Sequence, residues 1–442
     1  AGPRRAEEGE AAAAATSPET PTATGTVVGI SASVTKGMVG SGVLSLAAGV
    51  SAFTRTPQGL GFAVMVTIAF TCVAAYSFQL VAWVSAETGT KDFGEAWTAS
   101  VGEKYAWVPR FAVIVISCIS CVIYAMLLGD LLASILRGVL AGLTSGGLLG
   151  TLRDAVLPWC QKGPVLVVLA SSVLLPLCLQ ENFAGLSFTS ILGLVAASYL
   201  AGFVVWRSLD GGYAPGGVFF RNAPFGAAPL AAARSLADVV NLRALVLVSN
   251  IGMAYMNHAM AVSTYQELAP SPSAPTEAKA ARTAKLRRYR LVTLLSFGMA
   301  GMLGTSIMVA GFLTFGPSVA GNVLANYATT DAAAAFARAC VMFSVLCGFP
   351  LNFVVMRTEL DGIMAKRGGE GMSSTARRLF TVGILASFVV AALLLGDLGK
   401  VQAVCGSILG SFIVYLAPAI MARSLRLRRG GGRPAQAAAE VG

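Results

Sequence analysis

The chain has 442 residues, of which 55% are hydrophobic and only 12% charged, and its mean hydropathy is +0.72. Soluble domains carry about a quarter of their residues as charge, so this composition excludes an ordinary soluble enzyme or binding module and points to a polytopic membrane protein. The net charge of +11 does not signal nucleic acid, because the basic residues fall between apolar spans and lack interleaved aromatics.

Residues 1–26 are rich in Ala, Glu, Thr and Pro, hold no apolar core of the signal-peptide kind, and are expected to form a disordered tail. Because a helix needs about 20 apolar residues to cross a bilayer, ten spans are predicted. They lie near 27–52, 59–86, 107–136, 164–181, 185–207, 242–266, 288–315, 332–360, 378–395 and 400–422. An all-α transmembrane domain over 27–422 and a basic tail over 423–442 follow from this. Between the second and third spans, KDFGEAWTASVGEKYAWV is too polar to cross and reads as a short interfacial helix anchored by Trp97 and Trp107. The Gly-, Ala- and Pro-rich loop 208–238 carries no predicted element. Seven cysteines fall inside spans and only Cys160 in a loop, so no loop disulfide within the chain is expected, and the Cys118/Cys121 pair reads as packing.

With the N-terminus placed in the cytoplasm, 21 Lys and Arg fall on that side and ten on the other, which orients both termini to the cytoplasm. The cluster KLRRYR at 285–290 then reads as an anchor near anionic lipid.

The first span contains SVTKGMVGSGVLSLAAGVSA, with Gly37, Gly40, Ser41 and Gly42 in its middle. Each glycine weakens a continuous helix. A break at membrane depth is tolerated only where the freed backbone faces protein or a cavity, and the free N–H groups that begin a second half-helix attract a carboxylate. Close helix packing through small residues is the bland reading. The sixth span, which opens the second set of five, has Asn250, Gly252, Asn257 and His258 near its centre. Interruptions at matching positions of two halves point to a central site in an inverted-repeat transporter. The halves are 27–207 and 242–422. A substrate carboxylate is expected on the backbone N–H groups of Ser41, Gly42 and Val43, beside Gly40, and its amino group on carbonyls released around Asn250 to Ala254. Lys36 is a charge at membrane depth and so a functional candidate by default, unless it reaches back to the cytoplasmic face. Asn352 is the polar group of the eighth span expected to border the centre.

Four stretches, taken in order, resemble the amino acid/auxin permease family of the amino acid, polyamine and organocation superfamily. These are VTKGMVGSGVLSLAAG, PLCLQENFAGLSFTSILGL, AYMNHAMAVSTYQEL and GFLTFGPSVAGNVLANY. The resemblance implies a LeuT-like fold with helices 1 and 6 broken, helices 1, 2, 6 and 7 moving against a scaffold, and secondary transport of amino acids. It also implies roles for His258 in substrate contact or proton relay, where a structural role is the alternative, and for Tyr124 facing the site. By register, Lys36 falls where sodium-coupled relatives place groups for a bound ion, and Gly348 stands where they carry a Thr. Lys36 is therefore expected to act as a fixed cation surrogate or as a titrating group that couples transport to protons, not sodium. Glu267, at the rim, is expected to gate with nearby basic residues. Asp130 is expected to cap the outer end of its span or to pair with a cation, and Glu181 and Asn182 to be interfacial. The chain departs from the family in two ways: members usually have eleven spans, and a proline that often follows the glycines is absent here, with Ala47 or Ala48 near its place.

No phosphate loop, metal-ligand cluster or nucleophile constellation is present, so neither an enzyme nor a cofactor is expected. The reading is a monomeric amino acid transporter in a vacuolar, lysosomal or plasma membrane, driven by protons or facilitative. An amino acid sensor acting on a cytoplasmic partner is the alternative. A channel is disfavoured because no rings of charge are visible.

Overall fold

A computed structural model describes residues 25–143, 147–180, 188–226, 228–270, 277–366 and 374–430. The two predicted tails therefore lie outside the described residues, except for Gly25, Thr26 and positions 423–430. The described regular structure is helical apart from a parallel bridge of Gly25 with Leu268.

Helix α1 (Val27–Met38) is capped by Thr26, whose hydroxyl accepts the Gly29 N–H at 3.1 Å. After Val39 and Gly40, a 3-10 turn (Ser41–Ser45) runs on into α2 (Leu46–Ser51). Then come α3 (Pro57–Thr88), the short α4 (Phe93–Val101), α5 (Trp107–Ala141) and α6 (Gly147–Val156). Helices α7 (Lys162–Leu169) and α8 (Leu175–Leu179) are joined through a π turn and followed by α9 (Phe188–Leu209). The second half contains α10 (Ala244–Ala254), α11 (Met260–Glu267), α12 (Ala278–Phe315), α13 (Ala332–Lys366) and α14 (Ser374–Leu394). Helix α15 (Leu398–Cys405) passes through a π stretch into α16 (Ala417–Gly430).

Among the described residues, eight helices are long and apolar enough to cross a membrane, and Val27–Met38 with Ser41–Ser51 form a ninth segment bent by 44°. The count differs from ten at the predicted sixth span, which lies in α10 and α11, each too short to cross alone.

Close crossings explain several glycines. Gly406 and Gly410 seat α10 against the π stretch, because a Cβ at Gly410 would lie 2.9 Å from the Gly252 carbonyl carbon and one at Gly406 would run into the Ser249 carbonyl. Small residues let backbones approach in lipid, where apolar side chains gain no hydrophobic energy by leaving the lipid for one another and close packing has to hold helices together.

One end of the bundle is closed by the connection between α12 and α13. Fully buried Asp331 accepts from Arg207 Nη2 at 2.8 Å and the Tyr213 hydroxyl at 3.0 Å, and caps α13 by accepting the Ala333 N–H at 3.0 Å. Burial, with Asp331 beside it, raises the Tyr213 phenol above its ordinary pKa, so it remains a donor. Arg338, 1% exposed, donates to the carbonyls of Leu324, Tyr327 and Ala328. These bonds hold the turn Val323–Asn326 over the Ser41–Ser45 turn.

At the other end, Arg428 of α16 donates to the Ala99 and Val101 carbonyls, both at 3.2 Å, satisfying the C-terminus of α4. The predicted helix there is present. Trp97, however, is no lipid anchor: it is 4% exposed, donates to the Tyr105 carbonyl at 3.0 Å and packs on Phe412. Trp107, at 64% exposed, is free to serve as one.

Candidate functional site

The interruptions of the two segments meet. A Cβ on Gly42 would lie 2.5 Å from the Ala254 Cα and 3.0 Å from its nitrogen, so the start of the 3-10 turn touches the end of α10 backbone to backbone. Asn257, in the non-helical stretch after α10, donates to the Val34 carbonyl of α1 at 3.2 Å. Gln402 and Asn250 donate to the Ser41 and Ser45 carbonyls at 3.0 and 3.1 Å. The turn is thus tied from outside by side-chain amides of α15 and α10, which hold it in place.

Beside this crossing lies a cavity of about 540 Å³ between α1, α5, α10, α11 and α13. It shares Val113 and Ala259 with a larger opening of about 1220 Å³ lined by α4, Arg110, Glu359 and Arg428. The cavity therefore leads to the end of the bundle that carries Gly25 and α4, while the opposite end is covered by the turn at Val323–Asn326.

Gly40, Ser41, Gly42, Tyr124, Ala254, Asn257, Asn352 and Lys36 all line the cavity. Val43, Asn250 and Gly252 do not. Val43 is 1% exposed and points to Gly304, and in a 3-10 turn starting at Ser41 its N–H is committed to the Gly40 carbonyl. The N–H groups left over are those of Ser41 and Gly42. Helix α10 also continues through Asn250, so the carbonyls at its end, not those around Asn250, are released. Ile251 and Met253 accept from Tyr255 and Met256, whereas Ala254 receives no backbone donor among the described residues and lines the cavity.

Lys36 sits nine residues into α1, about 13 Å from its start. Its side chain lies along Gly193 of α9, near Ser344 of α13, and forms no ion pair among the described residues. The cavity lining includes no carboxylate side chain. Tyr124 lays its ring on Gly348, whose Cβ would come within 3.2 Å of it. Asn352 donates to the Gly348 carbonyl at 3.1 Å.

His258 is fully buried outside this lining, edge-on to Phe78 and Phe297. Its Nε2 lies 2.9 Å from Ser77 Oγ and 3.0 Å from the Ala74 carbonyl. A carbonyl can only accept, so Nε2 carries the proton and the ring, as a donor, ties the non-helical stretch before α11 to α3. Replacing His258 with Ala should lower the melting temperature in detergent, since an unpaired buried group costs about 1–3 kcal/mol. It should leave the pH profile of uptake unchanged; a shifted profile would restore the relay role.

Glu267 is exposed, and its carboxylate forms no ion pair among the described residues. Its carbonyl accepts the Gly25 N–H at 2.9 Å. Lys285 and Arg288 instead reach the neighbouring Gln266 and Ala269 carbonyls at 3.2 and 2.7 Å. Asp130 pairs with Lys162 at 3.2 Å. Glu181 and Asn182 lie outside the described residues. Sequence reasoning passed over Gln402 and Gly193. Gln402 carries a legible signal, an amide in an apolar span; Gly193 among many glycines carries none.

The helical architecture is that of a LeuT-fold membrane protein, as a solved structure of that fold shows. A solved structure titled "Inward facing conformation of Mhp1" matches with a TM-score of 0.50 at 16% identity, covering 90% of this chain and 76% of that one. Residues 23–429 match the family described as "Transmembrane amino acid transporter protein", and the chain belongs to it, as the amino acid/auxin permease resemblance implied. The chain is similar to "Sodium-coupled neutral amino acid transporter 7" of Danio rerio, 22% identical over 77% of this chain and 68% of the relative. It is also similar to "Solute carrier family 38 member 8" of Homo sapiens, 25% identical over 79% and 77%. Members of this family are transporters, not enzymes.

Proposed function

We propose that the chain carries neutral amino acids by alternating access over a 5+5 inverted-repeat core, in which α10 and α11 together make the tenth span. The substrate carboxylate rests on the N–H groups of Ser41 and Gly42, and its ammonium on the Ala254 carbonyl. The observation that carries this reading is a cavity lined by Ser41 and Gly42 at the start of the 3-10 turn, by Ala254 at the end of α10 and by one cation, Lys36, with no side-chain carboxylate. With the termini cytoplasmic, the cavity opens inward. The carrier acts as a monomer.

Lys36 stands in for a coupling cation, so transport is facilitative or proton-linked and not driven by sodium, unlike the named coupling of the Danio rerio relative. An effective dielectric of about 20 makes two cations about 6 Å apart repel by roughly 3 kcal/mol, which disfavours lysine and arginine as substrates.

In proteoliposomes, neutral amino acids should accumulate or exchange at rates unchanged within about twofold when sodium is replaced by choline, and lysine and arginine should not compete. Uptake that requires sodium would overturn the coupling assignment. Failure with every amino acid would overturn the carrier reading.

A further inference from the structure

We infer that Gly193 is the positioning residue that fixes the Lys36 ammonium at the transport site. This rests on the reading just given. A Cβ on Gly193 would lie 3.0 Å from Lys36 Cγ, 3.1 Å from Lys36 Cε and 3.3 Å from Ser344 Oγ. The stem of the lysine therefore occupies the space that any larger residue at 193 would need, in a slot closed on the far side by α13.

Glycine in mid-helix is costly to the backbone and calls for a reason. Most often the reason is contact between helix backbones. Gly42 and Gly406 are of that kind, since a Cβ there would meet the main chain of α10. Gly193 is different: its nearest neighbours are the side chains of Lys36 and Ser344. Lys36 has no carboxylate partner among the described residues, so no ion pair holds the ammonium in place. The shape of the slot does so. Gly348 stands in the same relation to Tyr124, whose ring would meet a Cβ there at 3.2 Å. Two glycines on α9 and α13 thus leave room for two side chains of the cavity, and the space between α1, α9 and α13 is filled by the protein's own cation.

The test is a double-substitution cycle in proteoliposomes, with initial uptake rate and melting temperature read for wild type, Gly193→Ala, Lys36→Ala and the pair. Gly193→Ala should cut uptake about tenfold alone, yet change the Lys36→Ala protein by less than about twofold, because the stem it collides with is gone. If Gly193→Ala fails to fold, the pair should fold and melt like Lys36→Ala. Equal losses in both backgrounds, a pair that also fails to fold, or full activity of Gly193→Ala would each overturn the inference while leaving the carrier reading intact. Lys36→Ala transporting like wild type would instead remove the reading on which it stands.

Discussion

Replacing Lys36 by alanine is expected to lower the initial rate of amino acid uptake about thirtyfold at unchanged abundance of folded protein. The size follows from charge. An ammonium about 8 Å from a carboxylate, at an effective dielectric of about 20, contributes roughly 2 kcal/mol, and each 1.4 kcal/mol is a factor of ten. Lys36 is the one cation lining the cavity, and no carboxylate side chain of that lining offsets it. Its loss is therefore felt at the site itself. Lys36→Arg should restore little, because the slot along Gly193 fits a slender stem and the planar guanidinium is a poor replacement for a compact ammonium. Initial rates normalised to protein in the vesicles, in sodium and in choline, decide the matter. Uptake by Lys36→Ala equal to wild type would mean that the charge serves neither substrate nor coupling.

Gly42→Ala should abolish measurable uptake. Its new methyl would be placed 2.5 Å from the Ala254 Cα, and a backbone atom has no flexible end to swing aside. Overpacking of this kind costs about 1–3 kcal/mol of stability. The functional loss is expected to be greater, about a hundredfold, since misplacing binding groups by about 1 Å is enough for that. The crossing at Gly42 sets the spacing between the Ser41 and Gly42 N–H groups and the Ala254 carbonyl, the two sides proposed to hold a zwitterion. Gly298→Ala, on α12 where a methyl meets nothing within 4 Å, is the control and should transport at about the wild-type rate. A Gly42→Ala protein that transports normally would place the substrate elsewhere.

The family was legible without the structure, because four motifs in the right order are a local property of the chain. The interruption after Met38 was legible too, from Gly40 and Gly42 in an apolar run. Where the second interruption falls was less so: Asn250 and Gly252 marked the segment, yet helix persists to Ala254 because both residues are used in packing and bonding, Asn250 on the Ser45 carbonyl and Gly252 against Gly406. His258, the chain's single histidine, fell outside the cavity, since the sequence does not show which way a side chain points in the non-helical stretch between α10 and α11.

Spans, their order and the charge bias between the two sides follow from the chain alone, since hydropathy adds up along consecutive residues and needs no partner. Which side chains enter the cavity is another kind of fact. In a membrane bundle the lipid-facing and protein-facing sides of a helix are both apolar, so periodicity does not reveal the rotation of each helix about its axis. That rotation is set by contacts between residues far apart in the chain: Gly42 with Ala254, Gln402 with the Ser41 carbonyl, and Lys36 with Gly193. Only the packed structure brings those pairs together, and with them the placement of Lys36, Tyr124 and Asn257 in one cavity and of His258 outside it.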